Sequence, residues 1–337
     1  MEELNILFWH RPFERVWKFI EESYIKAQVA VSFSPSFLKT RLGTYLSLRK
    51  NPKEKLHEKE YNVLLKEVEE YGKNSFSKEL ALKLKVLQED LVLKDIRIFQ
   101  WSIDGYPVKN PTGFEGSQVK AEFMAHFLFK SYDEVVKAIP RKYKLEQPLV
   151  YPEVEGLLQF AFEKNQEGIF LDIGDKTTQL VVIKKERVLA IDELPFGGEN
   201  MTRLLMDKLG MKVGSARELK EQYAKQMLSQ ELMLQLRHLF LPEVKNFVTL
   251  LKEKLGGFNI LLPNHLILFG GGALMKEITE ELEKENFTAI PFQGEVAVSL
   301  LFPKDMWEIS NMNQVSNPQY TSLFLQFYAF QSHAQNS

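Results

Sequence analysis

The chain has no cysteine in 337 residues. That excludes a disulfide framework and thiolate metal sites, and makes a reducing cytoplasm the natural setting. Its six histidines never fall in an HExxH-type spacing, so no zinc site is expected. No stretch approaches the roughly 20 apolar residues that a membrane span needs. The opening MEELNILFWHRPFERVWKF carries acids at positions 2 and 3 and no long apolar run, unlike a signal peptide. An excess of one charge is missing too. The net charge of −2 provides no general field for nucleic acid or anionic lipid. No low-complexity segment or repeat of solenoid period is evident.

What remains is the composition of a soluble globular protein, too long for one simple core, so two or more subdomains are expected. The 25 phenylalanines are read as core packing. Residues 12–25 show helical spacing of Phe13, Val16, Trp17 and Ile20. AQVAVSFSP reads as a strand ending at a Ser-Pro turn. Residues 50–95 are dense in Lys and Glu and read as helix with a solvated face. KDIRIFQWSI is an alternating strand that ends at Asp104-Gly105, a strong hairpin signal. VKNPTGFEG follows as a loop and SQVKAEFMAHFLF as another strand. Residues 131–164 read as mostly helical, interrupted at KLEQPLVYPE by Pro148 and Pro152.

The texture changes after that. EGIFLDIG, TTQLVVIKK and RVLAIDELPF are three short strands with tight connections, expected as an antiparallel meander. Gly197-Gly198 then opens a helix, and two more helices fill residues 215–256. HLILFGGG is a buried strand running into a glycine turn before the helix LMKEITEELEKE. The tail PQYTSLFLQFYAF is a last apolar helix or strand.

Two of these turns could carry chemistry. In LDIGDKTTQL, Asp172 at a strand end can accept from the water shell of Mg²⁺. Gly174 allows a tight turn, and its neighbours' N–H groups with the Thr177 and Thr178 hydroxyls can donate to phosphate. Gly270, Gly271 and Gly272 sit at a strand–turn–helix junction, where backbone N–H groups can point at an anion. Each turn alone is as well explained as an ordinary bend. The ordered set is more specific: D-I-G-x-x-T-T, a meander, Gly-Gly before a helix, then a strand into G-G-G-A.

That ordered set resembles the actin-like ATPases and, among them, the bacterial cell-division protein FtsA and the related pilus protein PilM. FLDIGDKTTQLVVIKKERVLAIDELPFGGENMTRLLMDKLG looks like the family's second phosphate motif, hairpin and Gly-Gly helix. ILFGGGALMKEI looks like its adenosine motif, and SARELKEQY like the helix that reaches the nucleoside. WSIDGYPVKNPTGFEGSQVKAEFMAHFL resembles the inserted subdomain 1C of FtsA. The resemblance implies an α/β, actin-like (ribonuclease H-like) two-lobed fold with an FtsA-type, SHS2-like 1C insert. The implied division is 1–37 as a remnant of subdomain 1A, 38–137 as the 1C insert and 138–165 as 1A helices. Residues 166–210 are then subdomain 2A, 211–256 a reduced helical 2B, and 257–337 the rest of 2A with a C-terminal helix. By resemblance, the nucleotide-contacting positions are Asp172, Gly174, Lys176, Thr177, Thr178, Gly197 and Gly198, then Lys220, then Gly270, Gly271 and Gly272. Asp172 is the one expected to face Mg²⁺ through water.

The chain departs from the family in several places. No first phosphate motif, D-x-G-T/S, precedes residue 35, so the first lobe is expected to be incomplete, either in nature or by truncation. Asp175 and Lys176 stand where the family has small glycines; the acid repels phosphate at short range and the lysine offsets it. Arg217 replaces an acid expected near the ribose. The interval before His265 is short for a subdomain 2B, which weakens an FtsZ contact, and the apolar stretch 320–330 lacks the basic face of an amphipathic membrane anchor.

The implied protein is a cytoplasmic scaffold or adaptor of cell division, reaching the inner face of the membrane through division or envelope partners. Self-association is part of the family's repertoire, and ATP/Mg²⁺ binding is expected to be weak or absent. The alternatives are a PilM-like type IV pilus adaptor, a truncated but ATP-binding FtsA, and a sugar- or acetate-kinase-like enzyme of the same superfamily. The last lacks any recognisable catalytic carboxylate in the first lobe.

Overall fold

The computed structural model describes residues 6–8, 29–33, 35–143, 149–306 and 317–326. The backbone divides into two compact units, Met1–Pro152 and Glu153–Ser337.

In the first unit, β1 (Ile6–Phe8), β2 (Val29–Phe33) and β7 (Leu149–Pro152) form a parallel sheet in the order β1-β2-β7. A second, antiparallel sheet has the order β3-β6-β4-β5. Its strands are β3 (Leu38–Leu48), β4 (Leu91–Ile103), β5 (Tyr106–Val108) and β6 (Gln118–Phe129). The β4–β5 hairpin turns at Asp104 and Gly105, with φ of +46° and +87°. Positive φ at both central residues gives the twist that a two-residue hairpin needs. The Asp104 carboxylate also accepts the amides of Ser117 (3.0 Å) and Gln118 (2.9 Å), fixing the start of β6.

Helix α1 (Glu58–Leu84) lies across one face of this sheet. Its buried stripe includes Leu64, Val68, Leu80 and Ala81, while its lysines and most of its glutamates stay in solvent; Glu60 pairs with Arg49 and Glu67 accepts from Tyr45 OH. The Phe123 ring fills the junction because Gly43 and Gly72 leave room: a Cβ on Gly72 would come within 2.6 Å of Ile96 Cδ1 and 2.9 Å of the ring. Helix α2 (Lys130–Tyr143) follows β6. In its first turn the buried Asp133 pairs with Lys94 (2.5 Å) and Lys137 (2.7 Å).

The second unit holds a five-stranded sheet in the order β10-β9-β8-β11-β12. Strands β8 (Gly168–Ile173), β9 (Thr178–Lys184) and β10 (Arg187–Leu194) form the antiparallel meander. On its other side β8 pairs in parallel with β11 (His265–Phe269), which pairs in parallel with β12 (Ala297–Leu300). Every residue of β8 is buried, which explains its nearly continuous apolar run. Helices α3 (Glu153–Glu163), α4 (Gly198–Leu209), α5 (Val213–Ala224), α6 (Gln230–Gly256), α7 (Lys276–Lys284) and the short α8 (Pro303–Met306) complete it, with residues 321–326 also helical.

Two elements differ from the sequence reading, while the antiparallel meander forms as expected. Strand β7 forms inside the break of the segment read as helical, because four residues suffice once β2 lies alongside. Strand β3 pairs with β6 over all of its 11 residues, although LKTRLGTYLSL carries little hydrophobic alternation. The meander is the edge half of a mixed sheet. The helix expected over 12–25 and the tail beyond 326 lie outside the described residues.

Candidate functional site

The C-terminal end of β8 gathers most of the residues singled out from the sequence. Asp172 pairs in register with Phe269 of β11, so the acid lies beside the glycine turn that follows β11. Gly270 has φ +87°, a conformation that favours glycine. A Cβ there would collide with Asp172 Oδ1 and with Ile173, and one on Gly272 would collide with the Ile173 side chain. Two glycines without side chains therefore let the turn close over the end of β8. Gly271 faces open space.

The Asp172 carboxyl is 8% exposed, and Ser322 Oγ donates to its Oδ2 at 2.8 Å. Burial pushes its pKa up from 3.8 to about 6, against the opposing effect of the Ser322 bond. Glu153, the first residue of α3, is buried as well. Burial and then the Asp172 charge hold it well above the usual carboxylate range, and Gln326 Nε2 donates to its Oε1 at 3.3 Å. Segment 317–326 thus fastens the site: Pro318 O accepts the Gly270 amide at 3.0 Å, and Thr321 donates to Leu301 O at 2.7 Å.

A second cluster forms around the β8–β9 turn. Gly174 N donates to Thr177 O at 3.0 Å, closing the turn. The turn's carbonyls then cap α4: Gly198 N donates to Gly174 O (2.9 Å) and Glu199 N to Asp175 O (2.6 Å). A Cβ on Gly197 would stand 2.5 Å from Asp175 O, so the close approach depends on glycine. Lys220 of α5 reaches back to Gly198 O at 3.2 Å and to Asp175 Oδ1 at 3.5 Å. Arg217 lies 3.8 Å from Asp175 Oδ2. Lys176 is exposed at the turn's tip. Thr178 is fully buried and its hydroxyl donates to Phe196 O at 2.9 Å, so it faces the protein.

Beside the glycine turn lies a cavity of about 580 Å³, bordered by Lys225, Gln226, Ala273, Leu274, Phe302 and Asn317. A smaller one, about 270 Å³, lies between α5, α6 and α7. There Tyr223 OH donates to Glu277 Oε1 at 2.5 Å, and Arg237 bonds to Glu280 and lies 3.6 Å from Glu277. Burial and then the Glu277 carboxylate hold the Tyr223 phenol well above its usual range. Sequence reading missed Glu153, Ser322, Gln326 and this Tyr–Glu–Arg group. The only signal was local: Tyr223 ends SARELKEQY and Glu277 follows GGGALMK. Ser322 and Gln326 had none, because only the fold brings residues near 320 to β8.

The donor set fits a nucleotide unevenly. The larger cavity and the side-chain-free glycine turn suit a nucleoside. At the phosphate end, Lys220 and the first amides of α4 are already engaged by the protein's own oxygens.

Residues 169–324 match the family model described as cell division protein FtsA. Among solved structures, the chain is similar to one from the PilM-PilN type IV pilus biogenesis complex, at 19% identity and TM-score 0.61, covering 94% of this chain and 84% of that one. Ethanolamine utilization protein EutJ from Carboxydothermus hydrogenoformans shows 20% identity and TM-score 0.40 over 58% of this chain and 61% of that one. An archaeal actin homologue shows 14% identity and TM-score 0.33 over 57% of each chain. No curated protein matches.

Proposed function

We propose that this chain, an FtsA-like protein with an actin-like fold, acts as a scaffold or adaptor of bacterial cell division with weakened nucleotide binding. Residues 38–137, with the antiparallel sheet and α1, serve as its 1C-type subdomain, and the second unit carries the nucleotide cleft. The observation that carries the reading is the Lys220–Asp175 contact of 3.5 Å. Lys220 is the cation we assign to the phosphates, and Asp175 lies in contact with it. An arriving phosphate must displace that carboxylate and meets its repulsion as well. ATP would rest its nucleoside against Gly271, the glycine that faces open space, with its phosphates toward Gly174 and Lys176. Bound Mg²⁺ would supply charge neutralisation, with Asp172 accepting from its water shell.

Titration with a fluorescent ATP analogue in Mg²⁺ tests this. Affinity no tighter than roughly the millimolar range and no steady phosphate release are expected; micromolar binding with turnover overturns the weakened part.

A second reading, a PilM-like adaptor of type IV pilus assembly, is favoured by the similarity over 94% of the chain to a PilM-PilN complex component. Fluorescence anisotropy with two peptides separates the two: the C-terminal tail of FtsZ, and the cytoplasmic N-terminal segment of a PilN-type protein. Binding of the second alone replaces division by pilus assembly. Among the described residues no helix is long and apolar enough to cross a membrane.

A further inference from the structure

The smaller cavity of the second unit, about 270 Å³, is bordered by a carboxylate that uses only one of its two oxygens. Glu277 lies in the first turn of α7, is 4% exposed, and borders this cavity. Tyr223 OH, from the last turn of α5, donates to its Oε1 at 2.5 Å. Arg237 Nη1, from α6, stands 3.6 Å from the same oxygen, while Nη2 of that guanidinium bonds Glu280. Glu277 Oε2 is buried and has no hydrogen-bond partner among the described residues. A carboxylate accepts at both oxygens, and leaving one of them buried and unserved is costly.

The neighbouring donors are committed elsewhere. The Tyr223 hydroxyl is engaged by Oε1, and the Arg237 guanidinium is held between that oxygen and Glu280. Lys276 also borders the cavity, but it is exposed. Two carboxylates, Glu277 and Glu280, thus share one guanidinium, and the cluster carries one negative charge in excess. The remaining wall is largely apolar and includes Met233, Leu234, Leu274 and Met275. Methionine side chains adapt their shape to an apolar guest. An apolar wall with a few fixed polar groups is the usual make-up of a small-molecule site. At about 30 Å³ for each water-sized group, the space holds roughly nine non-hydrogen atoms.

We propose that this cavity binds a small organic cation, an alkylammonium ion whose N–H donates to Glu277 Oε2 and whose hydrocarbon part lies against Met233, Leu234 and Leu274. The ion supplies the one positive charge that the cluster lacks and the one donor that Oε2 lacks. An anion of the same shape meets the repulsion of Glu277 and Glu280. A neutral molecule forfeits the charge-assisted part of the bond, which is the stronger part. Tyr223, Arg237 and Glu277 do not border the larger cavity beside the glycine turn, so the cation site is separate from the proposed nucleoside position. It requires no bound nucleotide.

Titration of the full chain with phenethylamine, without nucleotide, tests this. The neutral 2-phenylethanol and the anionic 3-phenylpropionate serve as controls of similar shape. Methyl NMR signals of Met233 and Met275 report on the cavity itself. The amine should shift both signals saturably, with a dissociation constant of about a millimolar or tighter. The alcohol should bind about tenfold more weakly or worse, and the carboxylate should give no saturable shift. Glu277→Gln keeps an acceptor for Tyr223 and removes the charge. It should weaken the amine about tenfold or more and leave the alcohol nearly unchanged. If that variant disturbs folding by circular dichroism, Leu234→Lys, at an exposed position bordering the cavity, carries the comparison and should weaken the amine alike. The absence of any saturable shift with the amine would mean that the cavity holds only water, and overturns the proposal. So does an alcohol that binds as tightly as the amine, or amine binding that the charge change leaves untouched.

Discussion

Ser322 donates a 2.8 Å hydrogen bond to the buried carboxyl of Asp172, 150 residues earlier in the chain. The bond favours the charged form, yet burial prevails and the folded-state pKa stands at about 6, above the 3.8 of an exposed aspartate. Folding therefore takes up a proton between about pH 4 and pH 6, and stability falls as the pH rises through that window. Asp172→Asn removes the buried charge and keeps an acceptor for Ser322. It should stabilise the protein by about 1–2 kcal/mol at pH 8 and by little at pH 4. Thermal melts at the two pH values check this. Equal effects at both would mean that the charge is not what costs stability. Some pH slope should survive, since Glu153 shifts in the same direction.

Two glycines with the same φ of +87° should respond differently to alanine. At Gly105 a Cβ meets nothing within 4 Å, so only the backbone is strained. Gly105→Ala should cost about 1 kcal/mol. At Gly270 the Cβ would also strike Asp172 and Ile173, and Gly270→Ala should cost roughly 3 kcal/mol or more. Denaturant unfolding gives both values, and similar costs would show that the turn can move off β8.

Removing the acid that holds Lys220 should favour phosphate. In Asp175→Ala, Lys220 and Arg217 lose their contacts at 3.5 and 3.8 Å and become available to an anion. Affinity for the fluorescent ATP analogue should rise roughly tenfold, given the repulsion removed and the cations released. The double variant Asp175→Ala/Lys220→Met should lose that gain. If Asp175→Ala binds no better than the wild type, the self-occupied phosphate end is not what limits affinity.

The first unit should behave oppositely to Asp172 in acid. Burial pushes the Asp133 carboxyl up, but hydrogen bonds and charge from Lys137 and Lys94 outweigh it and hold its pKa below 3.8. Its stabilising effect is present above the unfolded pKa, near 4, and disappears as the pH falls through the lower folded value. Asp133→Asn leaves both lysines without their anion. It should destabilise by about 2–4 kcal/mol at neutral pH and by much less near pH 2. Hydrogen exchange in β4 and α2, followed at both pH values, reports on this unit alone.

Local signals were enough for the elements that announce themselves. Asp104-Gly105 specified its hairpin because few residue pairs accept positive φ twice. The charged run 50–95 reads as helix from its Lys and Glu density, and α1 occupies Glu58–Leu84 of it; the β8 turn and the glycine turn were visible as strand–Gly breaks. Strand β3, by contrast, has weak alternation and exists because β6 pairs along its whole length; four-residue β7 likewise depends on β2. The same division holds in the site. The sequence by itself singled out residues whose chemistry suits phosphate, since the short-range chemistry of Asp, Gly, Lys and Thr is written in their order. Only the tertiary structure decided how they are used. It buried Thr178 against Phe196, set Asp175 on Lys220, and brought Ser322 to Asp172. Those outcomes depend on contacts between residues far apart in the chain, where burial and charge pairing, rather than local propensity, set the free energy.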